Sequence, residues 1–218
     1  MKECEVQFNH VFEQWADQYD KTVFEKKDEY AEVFQGYEQI LRTVVEELNL
    51  PAGSRVLEIG VGTGNLTAHL LEKEWDVYGV DPSPDMRRIA ARKLPHFTVA
   101  DGHFLSIPEE IGKVDGIVST YAFHHLTDAQ KARAIQELAD RLTEKGMIVF
   151  ADTAYADEEA RDAIHERVRS QGALTLLNDL QTEYYPLLST VKEAFEDVGL
   201  RFSARQLNRY VWLMIGKK

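Results

Sequence analysis

Residues 56–67 read VLEIGVGTGNLT: an apolar run, three glycines two residues apart, then the first turn of a helical pattern. The run has the length and content of a buried strand. Glycine at alternate positions lets the backbone turn tightly and approach a ligand closely, because no β-carbon intervenes. Strand, glycine turn and helix in that order open a parallel β-α-β unit, and ligands of open α/β sheets bind beyond the carboxyl ends of the strands. The spacing also restricts the ligand. A dinucleotide fingerprint needs glycine at the sixth position counted from Gly60, where this chain has Asn65 and carries Gly64 one residue early. The turn is not spaced for a pyrophosphate.

From Pro51 onward short β-rich runs alternate with helical segments, the pattern of parallel strands joined by crossover helices. Strands are expected at Arg55–Ile59, Val77–Asp81, Phe97–Asp101, Val114–Ser119 and Met147–Asp152, with helices at Leu66–Glu74, Pro84–Lys93 and Asp128–Thr143. Ser83 before Pro84 makes a helix cap and first turn, and Gly146 is expected to terminate the helix before it. A helix near Glu158–Ser170, an apolar tyrosine-containing segment at Thr175–Leu188 and a helix near Val191–Val198 follow. Leu200–Gln206 and Tyr210–Ile215 lie too close together for a crossover and should form an antiparallel hairpin at the sheet edge. Ahead of Pro51, the spacing of Phe8, Phe12, Trp15 and Tyr19, and then of Tyr30, Val33, Phe34, Tyr37 and Leu41, predicts amphipathic helices. The fold class expected is α/β, a doubly wound, Rossmann-like sheet with a helical N-terminal addition. At 218 residues the chain suits one domain: a helical cap over 1–50, a cofactor-binding core over 51–153, and a lid segment with closing strands over 154–218.

Three carboxylates stand at successive strands. Glu58, two residues before the first glycine, suits the ammonium of an amino-acid-like ligand. Asp81 closes the next strand 21 residues after Gly60, where a carboxylate accepts from two ribose hydroxyls. Asp101, followed by Gly102, is placed to accept from an adenine amino group while the next backbone N–H faces a ring nitrogen. Together they describe contacts to an amino acid, a sugar and a base, with no phosphate recognised.

Through VLEIGVGTGNLT, VYGVDPSPDM, FTVADGHF and VDGIVSTYAFHHLTD the chain resembles a class I S-adenosylmethionine-dependent methyltransferase, most specifically over residues 51–153. The segment FEQWADQYD, from Phe12, resembles the start of small-molecule members, and among these the chain is most similar to the small YrrT-type methyltransferases. The resemblance implies a seven-stranded sheet with one antiparallel strand, S-adenosyl-L-methionine as cofactor, and cofactor contacts at Gly60, Gly62, Gly64, Asp81 and Asp101, with Glu58 matching the acidic residue of the first motif. It implies methyl transfer by in-line displacement to a small-molecule acceptor.

His124 and His125 follow the fourth strand and should lie beside the methyl group, where either one is a candidate general base or a shaper of the acceptor pocket. No metal is expected, since adjacent side chains diverge and no third ligand is evident in the sequence. Tyr19, Tyr121, Tyr184 and Tyr185 are candidates for the acceptor pocket. The N-terminal helices and Thr175–Leu188 are candidates for a lid.

Asp and Glu number 37 against 25 Lys and Arg, a formal net charge of −12. That sign disfavours nucleic acid and anionic membrane surfaces as partners. Cys4 is the one cysteine, so no intrachain disulfide is possible, and the acidic start of the chain lacks the features of a secretory leader. A cytoplasmic location is expected. Two other classes fit parts of the pattern: a non-catalytic binder of S-adenosylmethionine or S-adenosylhomocysteine, and an NAD-dependent oxidoreductase, which Asn65 and the terminal hairpin disfavour.

Overall fold

The computed structural model describes residues 29–218. Its seven strands are β1 (Arg55–Ile59), β2 (Asp76–Val80), β3 (Val99–Ala100), β4 (Val114–Thr120), β5 (Leu142–Thr153), β6 (Arg201–Gln206) and β7 (Val211–Lys217). They form one sheet in the order β3-β2-β1-β4-β5-β7-β6. β7 runs antiparallel to both its neighbours and the other pairings are parallel, as expected. The helices are α1 (Tyr37–Leu48), α2 (Asn65–Leu71), α3 (Pro84–Lys93), α4 (Asp128–Arg141), α5 (Glu158–Ser170), α6 (Leu174–Thr182) and α7 (Leu188–Asp197).

Successive strand residues face opposite sides of the sheet, and two apolar layers result. Val56, Val118, Val149 and Leu213 pack with α1, α2 and α6 on one side. Leu57, Ile59, Ile117, Ile148 and Phe150 pack with α4 and α7 on the other. Local chemistry sets the helix ends that matter for the site. The Ser83 hydroxyl accepts from the Met86 N–H at 3.3 Å and Pro84 occupies the first turn of α3. Thr127 and Gln130 form a reciprocal capping box at the start of α4.

Several boundaries differ from the sequence reading by a few residues, β3 shrinking to Val99–Ala100 and α2 ending at Leu71, and two differences have a clear backbone cause. The helical spacing that begins at Tyr30 is interrupted by Gly36, which takes a left-handed conformation (φ 75°), so α1 starts at Tyr37. Gly146 terminates no helix: α4 ends at Arg141, and β5 begins at the buried Leu142 and runs through Gly146. The pairing register jumps there, from Val114 opposite Leu142 to Gly116 opposite Met147. The first helix expected around Phe8–Tyr19 lies outside the described residues.

Candidate active site

β1 delivers the chain into Gly60, Gly62 and Gly64, all left-handed, with φ of 76°, 57° and 86°. At Gly60 a β-carbon would stand 2.7 Å from the Ala122 methyl, so the turn and the segment after β4 touch only because the side chain is missing. At Gly62 nothing lies within 4 Å of that position. It is open to a ligand, while its N–H donates to Asp81 Oδ2 at 2.8 Å.

Asp81 follows the last residue of β2, so its side chain stands at the crevice. Besides Gly62 it accepts from the Ser83 N–H, at Oδ1, over 2.8 Å. Burial pushes its pKa up to about 6, against the pull of those two amides. The carboxyl is therefore ionised at neutral pH, and each oxygen retains a lone pair for a further donor.

Gly60, Gly62, Asp81, Tyr121 and His125 line one cleft holding about 690 Å³ of space, its open mouth included. Tyr37, Asn65, Met86, His103 and Phe104 line it too, and none of them was read from the sequence as a ligand contact. For Met86 a signal existed: it lies in the first turn of a helix whose cap, Ser83, follows Asp81 by two residues, and helical side chains lean toward the N-terminus.

Other expected positions fall elsewhere. Gly64 caps α2 and packs against Leu94 and Ala90. Glu58 lies within β1 and points to a sheet face, where the Thr67 hydroxyl donates to it at 2.6 Å. It does not line the cleft. Burial pushes its pKa up to about 8, so it is a neutral acid at pH 7 and lacks the charge expected to attract an ammonium. Asp101 is 76% exposed and pairs with Arg87 at 3.0 Å, and neither it nor Gly102 lines the cleft. Arg87 also donates to the Asp81 carbonyl at 2.7 Å, tying the ends of β2 and β3 together. Tyr19 lies outside the described residues. Tyr184 is exposed.

The turn after β4 is strapped to β5 by Asp152. Its Oδ2 accepts from the Phe123 N–H at 2.6 Å and the His124 N–H at 3.2 Å, and its Oδ1 lies 2.7 Å from His124 Nδ1. Burial disfavours a charged His124, yet the Asp152 carboxylate overrides it and raises the pKa. His124 stacks on Tyr185 with centroids 4.8 Å apart, behind the cleft wall. His125 reaches the cleft, and Glu183 Oε2 sits 3.2 Å from its Nδ1. Burial and the neighbouring His124 lower its pKa, so the ring is neutral at pH 7. The two rings do not diverge, with centroids 4.1 Å apart, and Glu183 supplies the third ligand-type group that the sequence hid 58 residues away. Lys131, also unforeseen, is buried and donates to the Leu126 and Tyr184 carbonyls; burial pushes its pKa down to about 8.

Tyr121 adopts φ 51°, a left-handed conformation that costs an aromatic residue about 1–2 kcal/mol. Its ring packs on Phe34 and Tyr37 at 5.1 and 5.5 Å, and its buried hydroxyl has no hydrogen-bond partner among the described residues. Strain and an unsatisfied donor at a cleft wall keep Tyr121 a candidate ligand contact. Tyr121→Phe is expected to leave the fold as stable or up to about 1 kcal/mol more stable, while turnover with the acceptor falls. Urea unfolding beside methyl-transfer assays checks both halves, and a clear loss of stability would show that the hydroxyl serves the fold.

A seven-stranded sheet with β7 antiparallel, a left-handed glycine turn after β1 and an acid after β2 define a Rossmann-like methyltransferase architecture. The methyltransferase domain family matches residues 56–146. The chain is 45% identical over 212 residues to an uncharacterized methyltransferase of Oceanobacillus iheyensis, covering 97% of this chain and 98% of that one. It is 43% identical to the uncharacterized methyltransferase YrrT of Halobacillus halophilus, covering 98% of each. The chain belongs to this methyltransferase family. Among solved structures, magnesium protoporphyrin IX methyltransferase of Synechocystis, crystallised with bound S-adenosylmethionine, shares the fold at a TM-score of 0.65 and 16% identity over 95% of each chain.

Proposed function

We propose that the protein transfers the sulfonium methyl of S-adenosylmethionine to a nucleophile on a small-molecule acceptor by in-line displacement. The observation that carries this reading is Asp81: an ionised, buried carboxylate at the carboxyl end of β2, facing the open side of Gly62. Its remaining lone pairs suit the two ribose hydroxyls. Met86 and Phe104 offer apolar contact to an adenine. Asp101 remains a candidate for the adenine amino group once its side chain turns from Arg87, and Glu58 acts by holding the glycine turn in shape through Thr67.

The cofactor supplies an activated methyl and a neutral leaving group. The chain's own task is alignment and exclusion of water. The turn after β4 touches the glycine turn at Gly60 and lines the same cleft, so Tyr121 and His125 form the wall that an acceptor meets. The segment from α6 to Leu188 is the lid candidate. Its Tyr184 N–H donates to the His124 carbonyl at 3.1 Å, joining it to that wall.

A net charge of −12 favours a small acceptor over a nucleic acid. The Synechocystis neighbour is named for a small molecule, magnesium protoporphyrin IX. No helix among the described residues is long and apolar enough to cross a membrane. We read the chain as one cytoplasmic methyltransferase domain.

The test is incubation of purified protein with methyl-labelled S-adenosylmethionine and the small-molecule fraction of a cell extract. Label is expected in a small product, with S-adenosylhomocysteine formed alongside. Binding without transfer from any extract would favour a sensor of the cofactor. Absence of binding in calorimetry, or tight binding of NADH instead, would overturn the reading.

A further inference from the structure

His124, His125 and Glu183 bring together one donor atom each, all within 4.8 Å of one another. Their side chains are 12, 16 and 25% exposed, unlike an acidic surface patch. The 3.2 Å between His125 Nδ1 and Glu183 Oε2 is informative. Two ligands of a tetrahedral cation at bonds of about 2.0–2.1 Å stand roughly 3.3 Å apart. A cation therefore takes the place of the proton between these two groups with their separation unchanged. The pair then closes on the His124 ring by up to about 1.5 Å to complete three bonds.

The surroundings match such a site. His124 carries a buried carboxylate, Asp152, on Nδ1 at 2.7 Å, the partner that fixes the ring of a ligating histidine and leaves its other nitrogen to the metal. Tyr185 stacks on the same ring. Asp152 and Glu183 set two carboxylates against the two imidazoles, and the nearby Lys131 is itself paired with Asp128 at 3.6 Å, so the groups facing an incoming cation are mainly acidic. His125 belongs to the cleft wall, so the cluster adjoins the cleft, and the three groups leave a fourth coordination position unfilled.

We infer that His124, His125 and Glu183 bind a divalent cation of the zinc type, with three protein ligands and one open position. Imidazole and carboxylate donors in a four-coordinate arrangement select Zn²⁺ or Co²⁺ over Mg²⁺ or Ca²⁺. If the methyl-transfer reading above holds, the open position takes an anionic sulfur or oxygen of the acceptor, and the substrate class is a thiol or an acidic hydroxyl.

The test uses untagged full-length protein, dialysed against chelator and titrated with Co²⁺. One ion per chain is expected, with the visible absorption of a tetrahedral cobalt centre. His125→Ala and Glu183→Gln should each weaken binding at least tenfold, and His165→Ala should not. Glu183→Gln keeps a hydrogen-bond partner for His125, and circular dichroism of each variant confirms that it folds. Absence of a stoichiometric ion, or binding indifferent to both substitutions, would overturn the site. S-adenosylmethionine calorimetry on the same samples separates the two readings: cofactor binding without cobalt binding removes only the metal, and the converse removes only the methyl transfer.

Discussion

Asp81→Ala is expected to weaken S-adenosylmethionine binding by about 1.5–3 kcal/mol, roughly tenfold to a hundredfold in Kd, at neutral pH. Hydrogen bonds to an ionised group are worth that much, and Asp81 is the one carboxylate among the described residues that line the cleft. The substitution also releases the Gly62 and Ser83 N–H groups, so loosening of the glycine turn adds to the loss. A pH dependence separates the charge from the scaffold. The Asp81 pKa near 6 falls further when ribose hydroxyls donate to it, so affinity is full above pH 6 and drops as pH falls through that value, by at most tenfold per unit. The alanine variant should show no such step. Calorimetry at pH 5 and pH 7.5 on both proteins decides it, and equal affinities for the two proteins would remove the ribose assignment.

Glu58→Gln should flatten the dependence of folding stability on pH between about 5 and 8. The folded-state pKa of Glu58 is raised from 4.5 to about 8, chiefly by burial. The native chain thus keeps a proton that the unfolded chain gives up. That contribution is whole below pH 4.5 and is lost as pH rises through 8, with a slope approaching 1.4 kcal/mol per unit for one proton. Asp81 adds a second, narrower window, from 3.8 to about 6. Glutamine holds an uncharged side chain of the same size against Thr67 at every pH. Urea unfolding of both proteins at pH 5, 6.5 and 8 reads the difference. Parallel curves would mean that Glu58 is ionised in the native state, and would restore it as a candidate for the ligand's ammonium.

These two acids show what the sequence could disclose. Glu58 stands two residues before the first glycine and Asp81 21 residues after it, and position and charge assigned both to the ligand. Their fates differ because Glu58 precedes the end of β1 and shares a sheet face with Val56, whereas Asp81 lies one residue beyond β2 and escapes the pleat. The parallel strands, the antiparallel terminal hairpin and the span of α3 were legible because short apolar runs, a short hairpin connection and the Ser83-Pro84 cap are local signals. The start of α1 and the course of Gly146 were not, since each depends on a backbone angle or a pairing register set by distant contacts. The meeting of His125 with Glu183 was hidden for the same reason: only the folded chain places a residue following α6 against one following β4.

The sheet's two outer borders bear on how copies of the chain behave in crowded solution. β3 is two residues long, and β6 carries Arg201 and Arg205 among its exposed positions. A border that is too brief, or that bears cations, is a poor template for adding a foreign strand. At both borders this sheet resists the edge-to-edge stacking that leads to aggregates.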